Sequence, residues 1–299
     1  MREATRSGVD YLHTVTELLQ RQRQAHPTYG IYQAAELQFW WARPRATDEL
    51  DQLFWFDDDG RPVAAAVLND FSQQGSLVYS EPMLCVFTLP DASTDMITTA
   101  VERALGHAAG LGFRTVEIEV ATDDVALQQL LTERAGAMKE PAVVEAWLDI
   151  DQRQAVTDLA EGYALRSRAE MDGEHHMAHE TGEAFEERLQ QGSLYRADLD
   201  LLVLDPTGEL AAQAMLWFDP TTSIGVVEPV RTLDEHQGRG LSRHLLTSGL
   251  ERLAELGVDR VSIGWEPDNE ISGHLYRSIG WVPGVATDLW SCPTAPPDI

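Results

Sequence analysis

The stretch Gln237-Gly238-Arg239-Gly240-Leu241-Ser242-Arg243 has the composition of a phosphate cradle. Its glycines let a backbone approach an oxyanion closely, and a helix starting at Leu241 would aim the N–H groups of Gly238, Gly240, Leu241 and Ser242 at it. Arg239 and Arg243 add positive charge in a chain of formal net charge -27. The plainer reading is a tight turn with solvated arginines, and a second motif is needed to choose between the two. Histidines His175, His176 and His179 are spaced so that the first and last share a helical face, as zinc ligands can. No carboxylate motif accompanies them, so they are expected on the surface or beside an acceptor, without a metal. Cys85 and Cys292 lie too far apart for a Cys-x-x-Cys site and are expected to be plain thiols.

A phosphate loop needs elements that hold it. Apolar patterning predicts a strand from Ile224 to Thr232 before the loop and a helix from Leu241 to Leu256 after it. A strand from Arg260 to Trp265, a helix from Glu270 to Ile279 and extended terminal segments follow. Upstream lie a strand at Tyr163 to Arg168, helical matter from Glu174 to Gln191, and a hairpin of Leu201 to Leu204 with Ala211 to Phe218 around Asp205-Pro206-Thr207-Gly208.

The first half runs in the same order. An amphipathic helix spans Val9 to Arg23, and a second spans Ala34 to Ala42, whose Phe39-Trp40-Trp41 run is expected to pack rather than to bind a ligand. Then come a hairpin around Asp57-Asp58-Asp59-Gly60, a strand from Ser76 to Phe87, a helix from Thr94 to Ala109, and strands at Thr115 to Val120 and Val143 to Ile150. Leu111-Gly112-Phe113 matches Leu256-Gly257-Val258, and Ser80-Glu81-Pro82 matches Val227-Glu228-Pro229. Two copies of one α/β unit follow from this self-similarity, with a linker expected near Asp151 to Asp158. The first copy has Leu89 to Asp95, carrying carboxylates and no glycine, where the second has its glycine turn. Leu131 and Asp124 stand where the second has Tyr276 and Asn269.

The second copy resembles the GNAT superfamily of acyl-CoA-dependent N-acetyltransferases. The resemblance rests on Gln237-Gly238-Arg239-Gly240-Leu241-Ser242 and on Asn269-Glu270-Ile271-Ser272-Gly273-His274-Leu275-Tyr276, followed by Gly280-Trp281. Ser242 and Ser272 are small departures from the family's Gly/Ala and Ala. The resemblance implies a mixed α/β fold of two tandem domains with helices on both faces of each sheet: 1–152, a degenerate copy without catalysis, and 153–299, which binds acyl-CoA. It further implies that the strand ending at Val230, Arg231 and Thr232 splays from its neighbour, that the pantetheine arm lies along the opened edge, and that the Val230 N–H polarises the thioester carbonyl. Pro229, lacking an N–H, fits such an opening. Tyr276 is then placed to protonate the departing thiolate, Glu228 is the candidate base, and Asn269 caps its helix with coenzyme contact secondary.

The expected function is acetyl transfer from acetyl-CoA to a primary amine of a small molecule. Alternatives are a protein or peptide N-acetyltransferase and an acyl-CoA-binding regulatory module. The charge disfavours nucleic acid and anionic membrane, no apolar run spans a bilayer and Met1 to Arg6 does not open a signal peptide, so a cytoplasmic location is expected. Homodimer formation is compatible with the sequence.

Overall fold

The computed structural model describes residues 2–71 and 79–295. The chain forms two compact units, Met1–Val143 with Val285–Ile299, and Val144–Gly284. This differs from the expected division at 152/153, because two long strands, β6 (Ala137–Asp149) and β12 (Val282–Pro293), each begin in one unit and end in the other. The ladder explains the exchange: Thr287 to Pro293 of β12 pair with Thr115 to Ala121 in the first unit, and Val144 to Asp149 of β6 pair with Arg260 to Trp265 in the second. The segment expected to be a linker is bound to the second unit, with Arg153 Nε 2.9 Å from Glu251 Oε2 and the Thr157 N–H donating to Thr247 Oγ1 at 3.2 Å.

In the first unit the strand order is β1 (Arg2–Arg6), β2 (Gln52–Phe56), β3 (Pro62–Asn69), β4 (Met83–Thr88), β5 (Thr115–Ala121), β12. The β1 strand is not legible as an apolar alternation; it is held by the register Arg2↔Phe56 to Arg6↔Gln52. The strand expected from Ser76 starts at Met83, and residues 76–78 lie outside the described ones. Side chains alternate across the sheet. Leu53, Trp55, Ala64, Ala66, Leu68, Val116, Ile118 and Val120 pack on α3 (Thr94–Gly110) through Ala100, Val101, Ala104 and Leu105. The helices α1 (Gly8–Ala25) and α2 (Ala34–Ala42) carry their own buried stripe, from Tyr11, Leu12 and Val15 to Leu37, Phe39 and Trp41. A short helix, α4 (Val125–Glu133), buries Leu131.

In the second unit the order is β6, β11 (Arg260–Trp265), β10 (Ile224–Thr232), β9 (Leu210–Asp219), β8 (Asp200–Leu204), β7 (Ala164–Ser167). The helix α7 (Leu241–Glu255) lays Leu241, Leu245, Leu246, Leu250 and Leu253 on Leu201, Val203, Ala212, Ala214 and Leu216. Helix α8 (Glu270–Ile279) adds Tyr276 and Ile279 to that core. The helical matter expected from Glu174 to Gln191 is two pieces, α5 (Ala178–Thr181) and α6 (Ala184–Gln191), separated by Gly182 at φ +97°. Gly249 of α7 sits so close to the sheet that a Cβ would overlap the fully buried Leu216 side chain. Gly249→Ala is therefore expected to destabilise by about 1–3 kcal/mol, read as a lowered midpoint in denaturant unfolding.

The repeat is visible in the local chemistry of both units. Each long helix ends the same way: the Gly112 and Phe113 N–H groups donate to Ala109 and Ala108, and those of Gly257 and Val258 donate to Ala254 and Leu253. Both glycines have positive φ, +96° and +83°, as this helix stop requires. Asp124 caps α4 by accepting from the Leu127 N–H at 3.0 Å, and Asn269 caps α8 by accepting from the Ser272 N–H at 3.1 Å.

Candidate active site

The β10 strand is where the second sheet opens. Its parallel ladder with β11 runs from Ile224↔Arg260 to Val227↔Ile263 and goes no further, while β11 continues to pair with β6 through Trp265. On its other edge β10 shifts register against β9 between Val227 and Val230. The Glu228-Pro229 peptide is cis and lies inside that shift. Pro229 has no N–H to give a ladder, and the Glu228 carbonyl accepts instead from Trp217 Nε1 at 2.8 Å. Past the bulge Val230, Arg231 and Thr232 pair with Ala214, Gln213 and Ala212. Val230 packs on the core beneath α7, so Arg231 projects to the opposite face, and only its backbone can follow the edge that Val230 and Thr232 define.

The glycine turn continues from this strand. A 3-10 turn, Asp234–His236, leads into Gln237, whose Nε2 donates to Asp234 Oδ1 at 2.9 Å. Gly238 and Gly240 adopt φ +73° and +78°, and a Cβ at either would meet nothing within 4 Å. Conformation, not crowding, calls for glycine there. Gly240 is the N-cap of α7 and offers no side-chain cap, so among the described residues the first-turn N–H groups of this helix have no capping side chain. The Leu241 side chain is 1% exposed and belongs to the core, so this residue can offer a ligand only its N–H. Thr232 and Ser242 share a hydroxyl hydrogen bond of 2.6 Å that ties the strand end to the first helical turn. Arg239 is exposed. Arg243 instead reaches the second motif: its Nη2 donates to Ser278 Oγ at 2.5 Å, which couples α7 to α8.

The first unit differs at the matching place. The Ser93 hydroxyl accepts from the Met96 N–H at 3.2 Å and caps α3, and Asp95 adds a carboxylate to its first turn. A helix start already satisfied by its own side chain, with a negative charge added, is a poor anion site.

On α8, Tyr276 is 6% exposed and lies between two indoles, with ring centroids 5.8 Å from Trp265 and 6.1 Å from Trp281. Burial pushes its phenol up from the ordinary value, with the Ser272 hydroxyl acting weakly the other way. The ring thus packs in the core with its hydroxyl held in the protonated form. Trp281 is fixed by donating to the Val261 carbonyl at 3.2 Å. Gly273 makes room for Trp265, since a Cβ there would stand 2.5 Å from the indole nitrogen. Trp281 is already marked by the Gly280-Trp281 pair of the second motif, whereas the signal that points to Trp265 is the glycine three residues before the tyrosine.

The histidines depart from expectation. His175 is buried, 2% exposed, and precedes α5 rather than sharing a helical face with His179, whose side chain lies outside the described residues. Asp200, fully buried at the start of β8, supplies the carboxylate that no sequence motif reveals. Its Oδ2 accepts from His175 Nε2 at 2.8 Å and from the Tyr195 hydroxyl at 3.1 Å, and His176 Nε2 stands 3.7 Å from Oδ1. His175, His176 and Asp200 bring ligand atoms within 4.8 Å of one another. The Met177 N–H, however, donates to His175 Nδ1 at 3.1 Å, so the neutral ring carries its proton on Nε2. That proton is directed at Asp200, which makes the group a structural hydrogen-bond network and a poor metal site. Asp200→Leu should strand the Tyr195 hydroxyl and His175 Nε2–H, each costing about 1–3 kcal/mol, measurable as a fall in thermal midpoint. Beside this network, His176, Met177, Leu210, Ala212, Gln213, Arg231 and Leu233 line a cavity of about 30 Å³.

Both cysteines are buried free thiols, and burial pushes each thiol up from its ordinary range. Among the described residues no helix is long and apolar enough to cross a membrane.

Comparison with known proteins agrees with this geometry. Residues 162–281 match the model of the acetyltransferase (GNAT) family. A mycothiol acetyltransferase of Paenarthrobacter aurescens is 29% identical over 143 residues, 42% of this chain and 44% of that protein. Another, of Pseudarthrobacter chlorophenolicus, is 32% identical over 140 residues, 41% of this chain and 43% of the relative. The chain thus spans less than half the length of these curated relatives. Among solved structures, a tandem GNAT protein from the clavulanic acid biosynthesis pathway covers 99% of both chains with a TM-score of 0.69 at 16% identity. A GCN5-related N-acetyltransferase from Sphaerobacter thermophilus covers 99% of this chain and 97% of its own at a TM-score of 0.62 and 16% identity. The glycine turn, the opened strand and the tyrosine helix all lie inside residues 162–281, which are similar to the acetyltransferase (GNAT) family, and the chain shares its fold with a tandem GNAT protein.

Proposed function

We propose that the second unit transfers an acetyl group from acetyl-CoA directly to a primary amine of a small molecule, within a ternary complex. The observation that carries this reading is the conjunction of an uncapped α7 start with a β10 edge that β11 has left. The N–H groups of Gly238, Gly240, Leu241 and Ser242 are assigned to the coenzyme pyrophosphate, with Arg239 supplying charge. Gln237, Thr232, Arg243 and Asn269 act by holding the loop and its helices in place. The pantetheine arm adds to the open β10 edge past Val227, and the Val230 N–H polarises the thioester carbonyl. The amine attacks that carbon, the C–S bond breaks, and the leaving thiolate takes the Tyr276 proton. In this reading the first unit is a degenerate partner, because Ser93 caps its helix and Leu131 occupies the position of the tyrosine.

Glu228 is the proposed proton acceptor for the incoming ammonium, from its place inside the register shift. Glu228→Gln should lower kcat/KM about 100-fold near neutral pH and remove the acidic limb of the pH–rate profile. An unchanged limb assigns the base elsewhere.

The deciding experiment is an amine panel with acetyl-CoA, reading free CoA and product mass together. The panel includes the acceptor of the mycothiol acetyltransferases, since the curated relatives carry that name, and basic peptides. Acetylated small amine supports the proposal; acetylated peptide alone, or coenzyme binding with no thiol release, replaces it.

A further inference from the structure

The β10 strand carries a second charge that acetyl transfer as proposed does not use. On a regular strand, residues three apart point to opposite faces of the sheet. The register shift between Val227 and Val230 changes that relation. Val227 lies in the core beneath α7, so Glu228 turns to the other face, where Trp217 donates to its carbonyl. Val230 packs on that core again, so Arg231 turns to the same face as Glu228. A carboxylate and a guanidinium thus share one face, on either side of the Val230 N–H assigned to the thioester. Three residues of extended chain separate them, at most about 10 Å.

Arg231 has polar company there. It stands opposite Gln213 in the β9 ladder, and Gln213 lies between Ala212 and Ala214 of the core, so both side chains leave the sheet on that face. With His176 these two line the cavity of about 30 Å³. That is room for about two water molecules, which a carboxylate group can replace. A guanidinium and an amide at its wall offer N–H donors, with an imidazole beside them, and Arg forms charge-assisted pairs with carboxylates. In a chain of net charge -27, an anion needs such a local anchor.

The other end of this face is acidic. Ile263 and Trp265 belong to the core, so Gly264 between them turns to the face of Glu228, where it is exposed and brings no side chain. Its ladder partner is Glu145, so the strands on both sides of this bare place carry a carboxylate. We propose that the acceptor is a zwitterion whose amine lies between Glu228 and Glu145 and whose carboxylate, a few bonds away, is held at the cavity by Arg231 and Gln213. This rests on the transfer reading above and names its substrate class: an amino acid, or a larger compound with amino-acid ends, in place of a plain amine or a polyamine. Arg231 is the residue that sets the preference.

The test gives the full chain three matched acceptor series: ω-amino acids from β-alanine to ε-aminocaproate, the alkylamines of equal chain length, and the corresponding diamines. Initial rates with acetyl-CoA are read as free CoA and product mass. Calorimetric titration with the same compounds in the presence of coenzyme A reads binding apart from chemistry. At the best chain length the amino acid should exceed its alkylamine about tenfold in kcat/KM and in affinity, with the diamine below both. Arg231→Gln should bring amino acid and alkylamine within about twofold of each other, and Arg231→Lys should fall between. Each ratio is taken within one protein, so a change in coenzyme binding cancels. Arg231 is exposed, so both variants should fold, as circular dichroism would report. Transfer with no preference for the carboxylate, or a preference that survives in Arg231→Gln, overturns this proposal and leaves the transfer reading standing. Carboxylate-dependent binding without thiol release supports the anion site and counts against transfer. Neither transfer nor carboxylate-dependent binding across the three series overturns the proposal as well.

Discussion

Tyr276→Phe should lower kcat about 100- to 1,000-fold while leaving the affinity for acetyl-CoA within about twofold. The asymmetry follows from where the hydroxyl sits. The ring is held between Trp265 and Trp281, and phenylalanine keeps both contacts, so the helix that carries it should stay in place. What disappears is a single oxygen whose proton is stabilised by burial. With its pKa raised, the phenol stays protonated through neutral pH, and the alkaline limb that reports its loss should fall above the ordinary value of about 10. The check is steady-state kinetics over a pH series with coenzyme affinity measured separately. Unaltered turnover would remove Tyr276 from the chemistry and leave it as packing.

Gly240→Val should produce the opposite pattern, raising the Kd for acetyl-CoA about 10- to 100-fold with kcat at saturation largely retained. Valine at φ +78° is strained, and the strain is relieved by rotating the first turn of α7 out of register. The N–H groups of Leu241 and Ser242 would then miss the pyrophosphate, and each charge-assisted bond lost is worth about 1.5 kcal/mol or more. Core leucines from Leu245 to Leu253 anchor the rest of the helix, so the fold should survive. Gly240→Ala, which bears the smaller left-handed penalty, should fall between. Equilibrium binding of acetyl-CoA to the three proteins decides it, and equal affinities would remove the loop from coenzyme recognition.

Together these outcomes separate holding from transfer. A Gly240 effect with no Tyr276 effect is the signature of a coenzyme-binding module, and both effects together are the signature of an enzyme.

Features set by a few consecutive residues are legible in the amino-acid sequence by itself. The glycine turn, the Asn269 cap and the matching helix stops at Gly112 and Gly257 depend on contacts within about four residues, where backbone preference and side-chain reach decide the outcome. The repeat is legible for the same reason, because each copy needs the same stops and caps. The likeness to a known family rests on such local strings as well. Tertiary structure alone decided what depends on partners far along the chain. The exchange of β6 and β12 between units is set by ladders spanning more than a hundred residues, which apolar alternation cannot assign. His175 reads as a surface histidine in the sequence because Asp200 and Tyr195 reach it only through the sheet. Glu119, one acidic residue in a strand pattern, is tolerated in the interior only because folding sets the Tyr32 and Tyr79 hydroxyls on its two oxygens.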